Sequence, residues 1–258
     1  MENNVPLLEF DPAPQAILEP FGRHALSGKV PRRAVLCFFQ EVLSDLAAQG
    51  RLQYLGDLES EIGRNPFYRL EWEGTPLLVI HPGVGAPLAG AFLEELVGLQ
   101  VGAFIACGGC GVLEAGVAAG HPLVVTAAVR DEGTSYHYLP AGREVAAHPL
   151  AIAALEDTLQ GRGLEYRQVK SWTTDGIYRE TAYKRALRLA EGCATVDMEA
   201  SAFFAIAQYR GVILGQLMYG GDLVLPEGWD YRGWNQRRST RELIFWLAVE
   251  ACSRLPER

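Results

Sequence analysis

Residues 194–223, ATVDMEASAFFAIAQYRGVILGQLMYGGDL, limit the folds open to this chain more than any other stretch. A helical apolar pattern runs up to Gly211, a residue type that ends helices. It passes with no polar linker into 212–219 (VILGQLMY), a run of apolar and β-prone residues of the buried-strand type. A helix feeding directly into a buried strand is a unit of an α/β sheet. At helical spacing Glu199 has Ala202, Phe203 and Ile206 as same-face neighbours, so its carboxylate is expected to point inward from the first turn. Burying an ionised carboxylate without partners costs several kcal/mol, and the helix dipole offsets only part of that. Something polar must therefore meet Glu199 inside the fold. The strand is expected to end at Gly220-Gly221-Asp222, which puts a second carboxylate at the C-terminal edge of the sheet, where open α/β sheets bind ligands.

The rest of the chain repeats the same alternation. Residues 35–49 (VLCFFQEVLSDLAAQ) read as an amphipathic helix, and 68–72 with 76–81 as a hairpin turned by Glu73-Gly74. Gly83-Val84-Gly85 leads into a helix over 86–99. Residues 103–107 form a short strand closed by the turn Gly108-Gly109-Cys110-Gly111, and 124–129 form another strand followed by a polar loop over 130–138. A helix over 150–160, a strand over 166–172, a basic helix over 181–190 and a last helix over 241–252, with Leu243, Phe245, Trp246 and Val249 inward, complete the reading. Strands alternating with helices, with glycine after the strands, predict a three-layer α/β sandwich around a mixed central sheet. No long Pro- or Ser-rich linker divides the 258 residues, so one domain, 1–258, is expected.

A net charge of −8 argues against a basic nucleic-acid surface but leaves room for a small anion in a local pocket. No apolar run reaches membrane length, and residues 1–10 lack the pattern of a secretory signal, so no membrane partner and a cytoplasmic location are expected. Five cysteines without framework spacing suit a reducing compartment. Cys107 and Cys110 read as packing thiols rather than a redox pair, with no second pair to complete a zinc site. Neither glycine turn is a GxGxxG fingerprint or a P-loop, which speaks against a dinucleotide or triphosphate. Asp175 reads as a turn cap, His137 as a surface residue, and Asp197 as the cap of the central helix. Of these polar residues, only Glu199 resists a purely structural account.

Taken in order, GVGAP at 83–87, FIACGGCGVLEAG at 104–116, VVTAAVRDEGTSYHY at 124–138, TTDGIYRE at 173–180, VDMEASAFFAIA at 196–207 and GGD at 220–222 resemble the nucleoside phosphorylases of the uridine phosphorylase and hexameric purine nucleoside phosphorylase type. The resemblance implies reversible phosphorolysis of an N-glycosidic bond by a homo-oligomer (dimer, trimer or hexamer). No metal or organic cofactor is implied, and inorganic phosphate is the co-substrate. Glu199 would accept hydrogen bonds from the ribose hydroxyls, with Met198 against the sugar. Asp222 would protonate the departing base, Tyr178 would stack on it, and Gly108 with Gly109 would cradle phosphate and sugar. The Gly-Asp-Pro-x-Arg turn that usually completes the phosphate site is read at Phe10-Asp11-Pro12-Ala13-Pro14, without its Gly or Arg. The strand arginine is also absent, at Ala106. Arg64 is the remaining candidate, lent by a neighbouring subunit, with Arg130 or Arg179 as substitutes. A water-using nucleosidase, with Glu9 as a candidate base, and a non-catalytic nucleoside-binding protein are the alternatives.

Overall fold

The computed structural model describes residues 4–13, 15–20 and 28–257; Pro14, in the stretch matched to the phosphate turn, lies outside them. In chain order the strands are β1 (Arg33–Cys37), β2 (Gln53–Ser60), β3 (Gly63–Trp72), β4 (Thr75–Ile80), β5 (Ala103–Val112), β6 (Pro122–Asp131), β7 (Glu144–Ala146), β8 (Arg167–Thr174), β9 (Cys193–Asp197), β10 (Ile213–Leu225) and β11 (Gly228–Asp230). The α-helices are α1 (Gln40–Ala48), α2 (Ala86–Gly98), α3 (Pro149–Gly161), α4 (Ala182–Ala190), α5 (Ala200–Arg210) and α6 (Arg238–Ser253).

All of the strands belong to one mixed sheet. β5 and β10 run parallel from Ile213 opposite Ala103 to Leu223 opposite Val112, and β10 is antiparallel to β6. β6, β8 and β9 continue in parallel, and β9 returns antiparallel onto the far end of β5, closing a five-strand ring. From β5 the sheet extends outward through β1 and β4, both parallel, to the antiparallel β3 and β2. Alternate residues of the central strands feed two cores. Phe104, Ala106, Leu214 and Met218 pack against Phe92 and Leu96 of α2 and Phe203 and Ile206 of α5. Ile105, Cys107, Ile213 and Leu217 pack against α1, α3 and α6. This is the expected three-layer α/β sandwich.

Four local expectations are corrected. Residues 35–49 are not one helix: Ala34–Leu36 pair in parallel with both β4 and β5, so VLC is a central strand apolar on both faces, and the helix begins at Gln40. Gly108-Gly109-Cys110-Gly111 is not a turn but the second half of β5. Gly220-Gly221-Asp222 likewise lies within β10, at a register shift between Gly220 and Leu223. In α6, Leu243 is 45 % exposed, because the inward stripe runs through Arg241, Ile244, Phe245 and Ala248. Gly211 ends α5 in the left-handed region, φ 68°, as its sequence position predicts. All five cysteines are buried and free. Cys107 and Cys110 face opposite cores, which rules out a pair between them. Among the described residues no helix is long and apolar enough to cross a membrane.

Candidate active site

The polar end of the molecule is built where β9 meets α5. Asp197 closes β9, and its Oδ2 accepts the backbone N–H groups of Glu199 (3.0 Å) and Ala200 (2.6 Å), capping α5 as expected. Its Oδ1 accepts the hydroxyls of Ser171 (2.8 Å) and Thr173 (2.9 Å) from β8. Burial raises the Asp197 carboxyl above its ordinary range, against the opposing pull of these four donors. Glu132 adds a second brace, taking the Ser201 hydroxyl at 2.8 Å and the Ser135 N–H at 3.0 Å.

Glu199 is not on the helix face. It is the residue before α5, at φ −136°, fixed at the junction between strand and helix. Its side chain is nevertheless buried, at 7 % exposure, and among the described residues no lysine or arginine pairs with it. Oε1 accepts the N–H of Gly85 at 2.6 Å. Burial first, and then the neighbouring Asp197, push the carboxyl up to about 8, while the N–H groups of Gly85 and Met198 pull the other way.

Gly85 belongs to the turn before α2, where Gly83 (φ 79°) and Gly85 (φ 88°) both occupy the left-handed region that only glycine adopts freely. His81 fixes that turn: its Nδ1 accepts the Gly83 N–H at 3.1 Å, and burial lowers its pKa, which favours the neutral imidazole. Sequence reasoning did not single out His81. Met198 is half-buried beside Glu199.

Asp222 reaches the same end of the sheet. Gly111 pairs with Val196 of β9, and Asp222 Oδ2 lies 3.6 Å from where a Cβ on Gly111 would stand. Asp222 therefore lies beside Gly111, whose partner Val196 is three residues before Glu199. Asp222 is half-buried and accepts the Trp229 indole N–H at 2.6 Å, a partner contributed by β11. Close to Asp222 lies Glu180, which sequence reasoning did not weigh; burial and the charge of Asp222 raise its carboxyl to about 7. The only available signal was its place in the loop after a strand tip.

The phosphate side differs from expectation. Gly108 is covered by the Phe38 ring, 3.1 Å from the position its Cβ would take, and Phe38 donates its N–H to the Cys107 carbonyl at 3.0 Å. Phe38 also packs edge-on against His81, with ring centroids 5.9 Å apart. The turn beside Gly108 is Phe38-Phe39, after β1. Asp11 and Ala13, from the stretch matched to that turn, instead line a hollow with Glu94, Tyr138, Tyr209 and Arg210. Gly109 is exposed. Arg64 sits on the β2–β3 hairpin, its side chain 76 % exposed and paired with Glu59 at 3.3 Å, and is not brought to the glycines of its own chain.

Arg130 is not a free cation. Its guanidinium donates to Ser135 Oγ (2.9 Å) and to the carbonyls of Ser135, Leu139 and Pro140, and stacks on Tyr136. Arg179 is exposed and its side chain makes no hydrogen bond or ion pair among the described residues, although its backbone N–H donates to the Gly176 carbonyl at 2.7 Å, and Tyr178 is 95 % exposed. Asp175 does not cap its own turn but accepts the Gly133 N–H at 2.8 Å, tying two loops together. His137 and Glu9 are exposed. Among the described residues no group of three or more His, Cys, Asp or Glu is placed to hold a metal.

Sequence comparison finds relatives of the chain, and structure comparison finds proteins of the same fold. The profile of the phosphorylase superfamily matches residues 32–238. A guanosine phosphorylase of Halorubrum lacusprofundi is 30 % identical over 178 residues, covering 65 % of this chain and 72 % of the relative. A uridine phosphorylase of Escherichia coli is 25 % identical over 202 residues, covering 73 % and 79 %. Purine nucleoside phosphorylase from Toxoplasma gondii superposes with a TM-score of 0.75 at 23 % identity, over 87 % of this chain and 91 % of that one. AMP nucleosidase from Bacteroides thetaiotaomicron superposes with a TM-score of 0.68 at 24 % identity, over 86 % and 87 %.

Proposed function

The chain belongs to the phosphorylase superfamily, and from that premise we propose that it cleaves the N-glycosidic bond of a nucleoside by phosphorolysis, releasing free base and (deoxy)ribose 1-phosphate. The observation that carries the reading is Glu199, a buried carboxyl met by the backbone N–H groups of Gly85 and Met198, with no lysine or arginine paired to it among the described residues. Ribose hydroxyls are the partners it lacks. Charge-assisted hydrogen bonds to them contribute about 1.5–3 kcal/mol each and strengthen as the sugar becomes cationic. Met198 lies against the sugar and Asp222 at the base end. Tyr178, fully open in the free chain, folds over the base when it binds. The exposed Gly109, next to the Phe38-covered Gly108, and an Arg64 lent by a second copy form the phosphate side. The whole chain acts as one phosphorylase-like domain in a cytoplasmic homo-oligomer of nucleoside salvage, using no cofactor beyond inorganic phosphate.

Hydrolysis in the same pocket is the second reading, and Phe38 favours it. A phenyl ring over Gly108 stands where a dianion would need donors, and with Arg64 out on the hairpin and Arg130 engaged, bidentate guanidinium capture of phosphate is weakened. One experiment separates the two: purine and pyrimidine nucleosides incubated with and without phosphate, following free base and ribose 1-phosphate. Phosphate-dependent release supports phosphorolysis, and equal release without phosphate supports hydrolysis. Tight binding without release refutes both in favour of a non-catalytic binding protein.

A further inference from the structure

Asp222 owes its direction to a bulge. Met218 and Leu223, five residues apart on β10, pack into the same core, which unbroken alternation along a strand forbids. The register shift between Gly220 and Leu223 supplies the extra residue. Beyond it Asp222 and Val224 lean the same way: Asp222 Oδ2 lies 3.6 Å, and Val224 Cγ2 3.5 Å, from where a Cβ on Gly111 would stand. β11 folds back after a tight turn that sets Leu225 opposite Gly228 and Trp229 opposite Val224. Cross-strand partners share a face, so the indole lies diagonally across from Asp222, and its N–H reaches Oδ2 at 2.6 Å. Among the described residues no lysine or arginine pairs with Asp222. The indole is held in turn. Trp229 meets Tyr231 edge-on at 5.6 Å, Tyr231 meets Trp234 at 6.5 Å, and the Trp234 carbonyl accepts the hydroxyl of the buried Tyr219 at 2.7 Å. Trp229 is nonetheless 61 % exposed, so burial in the core is not what keeps an indole at this position.

Resting on the nucleoside-cleaving reading above, in which Asp222 serves the departing base, we infer that Trp229 is its positioning residue: the indole N–H holds Oδ2 and leaves Oδ1 to pass the proton to a purine. An indole N–H donates and cannot accept. The oxygen that receives it is therefore the carbonyl-type oxygen of the acid, and the transferable proton sits on Oδ1. As the C1′–N9 bond breaks, its electron pair moves into the purine and the Oδ1 proton passes to N7. C1′ takes an oxygen of the incoming phosphate, or of water, which then sheds a proton to solvent. The charge left on Asp222 meets a donor already in place, and a hydrogen bond to an ionised acceptor is roughly twice as strong as one to a neutral acceptor. The Trp229 bond thus tightens as charge develops, which is the condition for lowering the barrier rather than only holding the ground state. Trp229 needs no contact with the substrate to do this. The carboxylate afterwards recovers its proton from solvent.

The test uses Trp229→Phe, which keeps an aromatic ring beside Tyr231 and loses the N–H. It is read on inosine, whose base must be protonated, and on 7-methylguanosine, whose base already carries positive charge. kcat for inosine is expected to fall roughly 10- to 100-fold, as for loss of a hydrogen bond to a charged acceptor, while that for 7-methylguanosine changes by less than about threefold. Retained cleavage of 7-methylguanosine also shows that the variant is folded. In an Asp222→Asn background the same substitution is expected to cost no further activity on inosine, because the group it acts through is gone. Equal loss on both nucleosides, no loss on either, or an undiminished loss in the Asp222→Asn background overturns the inference and leaves the nucleoside reading intact. Cleavage of pyrimidine nucleosides alone by the parent protein does the same. Failure of the parent protein to cleave any nucleoside refutes that reading and the inference with it.

Discussion

Replacing Glu199 by Gln tests the pocket without any substrate. Burial and Asp197 place the native carboxyl at about 8, against an ordinary 4.5 in the unfolded chain. The native state therefore binds the proton more tightly, so its contribution to stability is complete below about 4.5 and is lost as pH rises through about 8. At about 1.36 kcal/mol per tenfold change in proton affinity, the displacement amounts to roughly 5 kcal/mol, of which about 3 kcal/mol falls between pH 5 and pH 8. Gln keeps the shape and an oxygen that accepts the Gly85 N–H, and it does not titrate. The variant is expected to match the parent protein near pH 5 and to exceed it by about 3 kcal/mol at pH 8. Urea unfolding of both proteins at pH 5, 6, 7 and 8 measures the difference. Nucleoside cleavage by the same variant is expected to fall by two orders of magnitude or more, since an amide cannot match a carboxylate's bonds to two hydroxyls. Parallel stability curves for the two proteins from pH 5 to pH 8 would refute the argument that an uncompensated acid is stored inside the fold.

Gly85→Ala meets no atom within 4 Å, so its cost is the backbone strain of φ 88°, about 1–2 kcal/mol, seen as a lowered Tm together with lost activity as the N–H moves off Glu199. Asp197→Ala removes the cap of α5 and leaves the Ser171 and Thr173 hydroxyls without their acceptor, and denaturant unfolding is expected to register a loss of about 2–4 kcal/mol. Arg130→Met keeps the bulk but strips the donor from three carbonyls of the 135–140 loop. A loss of about 2–4 kcal/mol and faster amide exchange confined to that loop are expected, with phosphate affinity unchanged because Arg130 is already fully engaged.

What could be read from the sequence follows from how each residue announces itself. Glu199 stands out because a charge within an apolar run has few physical excuses, and it is buried with no lysine or arginine paired to it among the described residues. Asp197 was legible as a cap by the same local logic, though not its two hydroxyl partners, which come from β8 and are distant in sequence. VLCFF was misassigned because a short apolar run carries no period to tell a central strand from a helix; pairing with β4 and β5 decides it, and that pairing is tertiary. Glu180 carries no signal beyond its place in the loop after a strand tip, because its environment is made in part by Asp222, forty-two positions further along the chain.

The glycines of β5 show how one misreading propagates. Gly108 to Gly111 were taken as a turn because glycine usually marks one, and a glycine turn after a strand suggests backbone amides free to hold an anion. In the fold these residues are strand, and their missing side chains have other causes: Gly108 admits Phe38, Gly109 lies 3.1 Å at its would-be Cβ from the Tyr219 ring, and Gly111 would meet Val196 at 2.7 Å. Close approach by neighbouring side chains, rather than by a ligand, accounts for Gly108 and Gly111. Only the exposed Gly109 retains an open face. Any phosphate bound beside it must draw its positive charge from elsewhere, since Arg130 is occupied and Arg64 lies out on the hairpin. Arg179, whose side chain is exposed, and an arginine contributed by a second copy in the proposed homo-oligomer are candidates, so phosphate-dependent cleavage is expected to fall on dilution if that assembly supplies the charge.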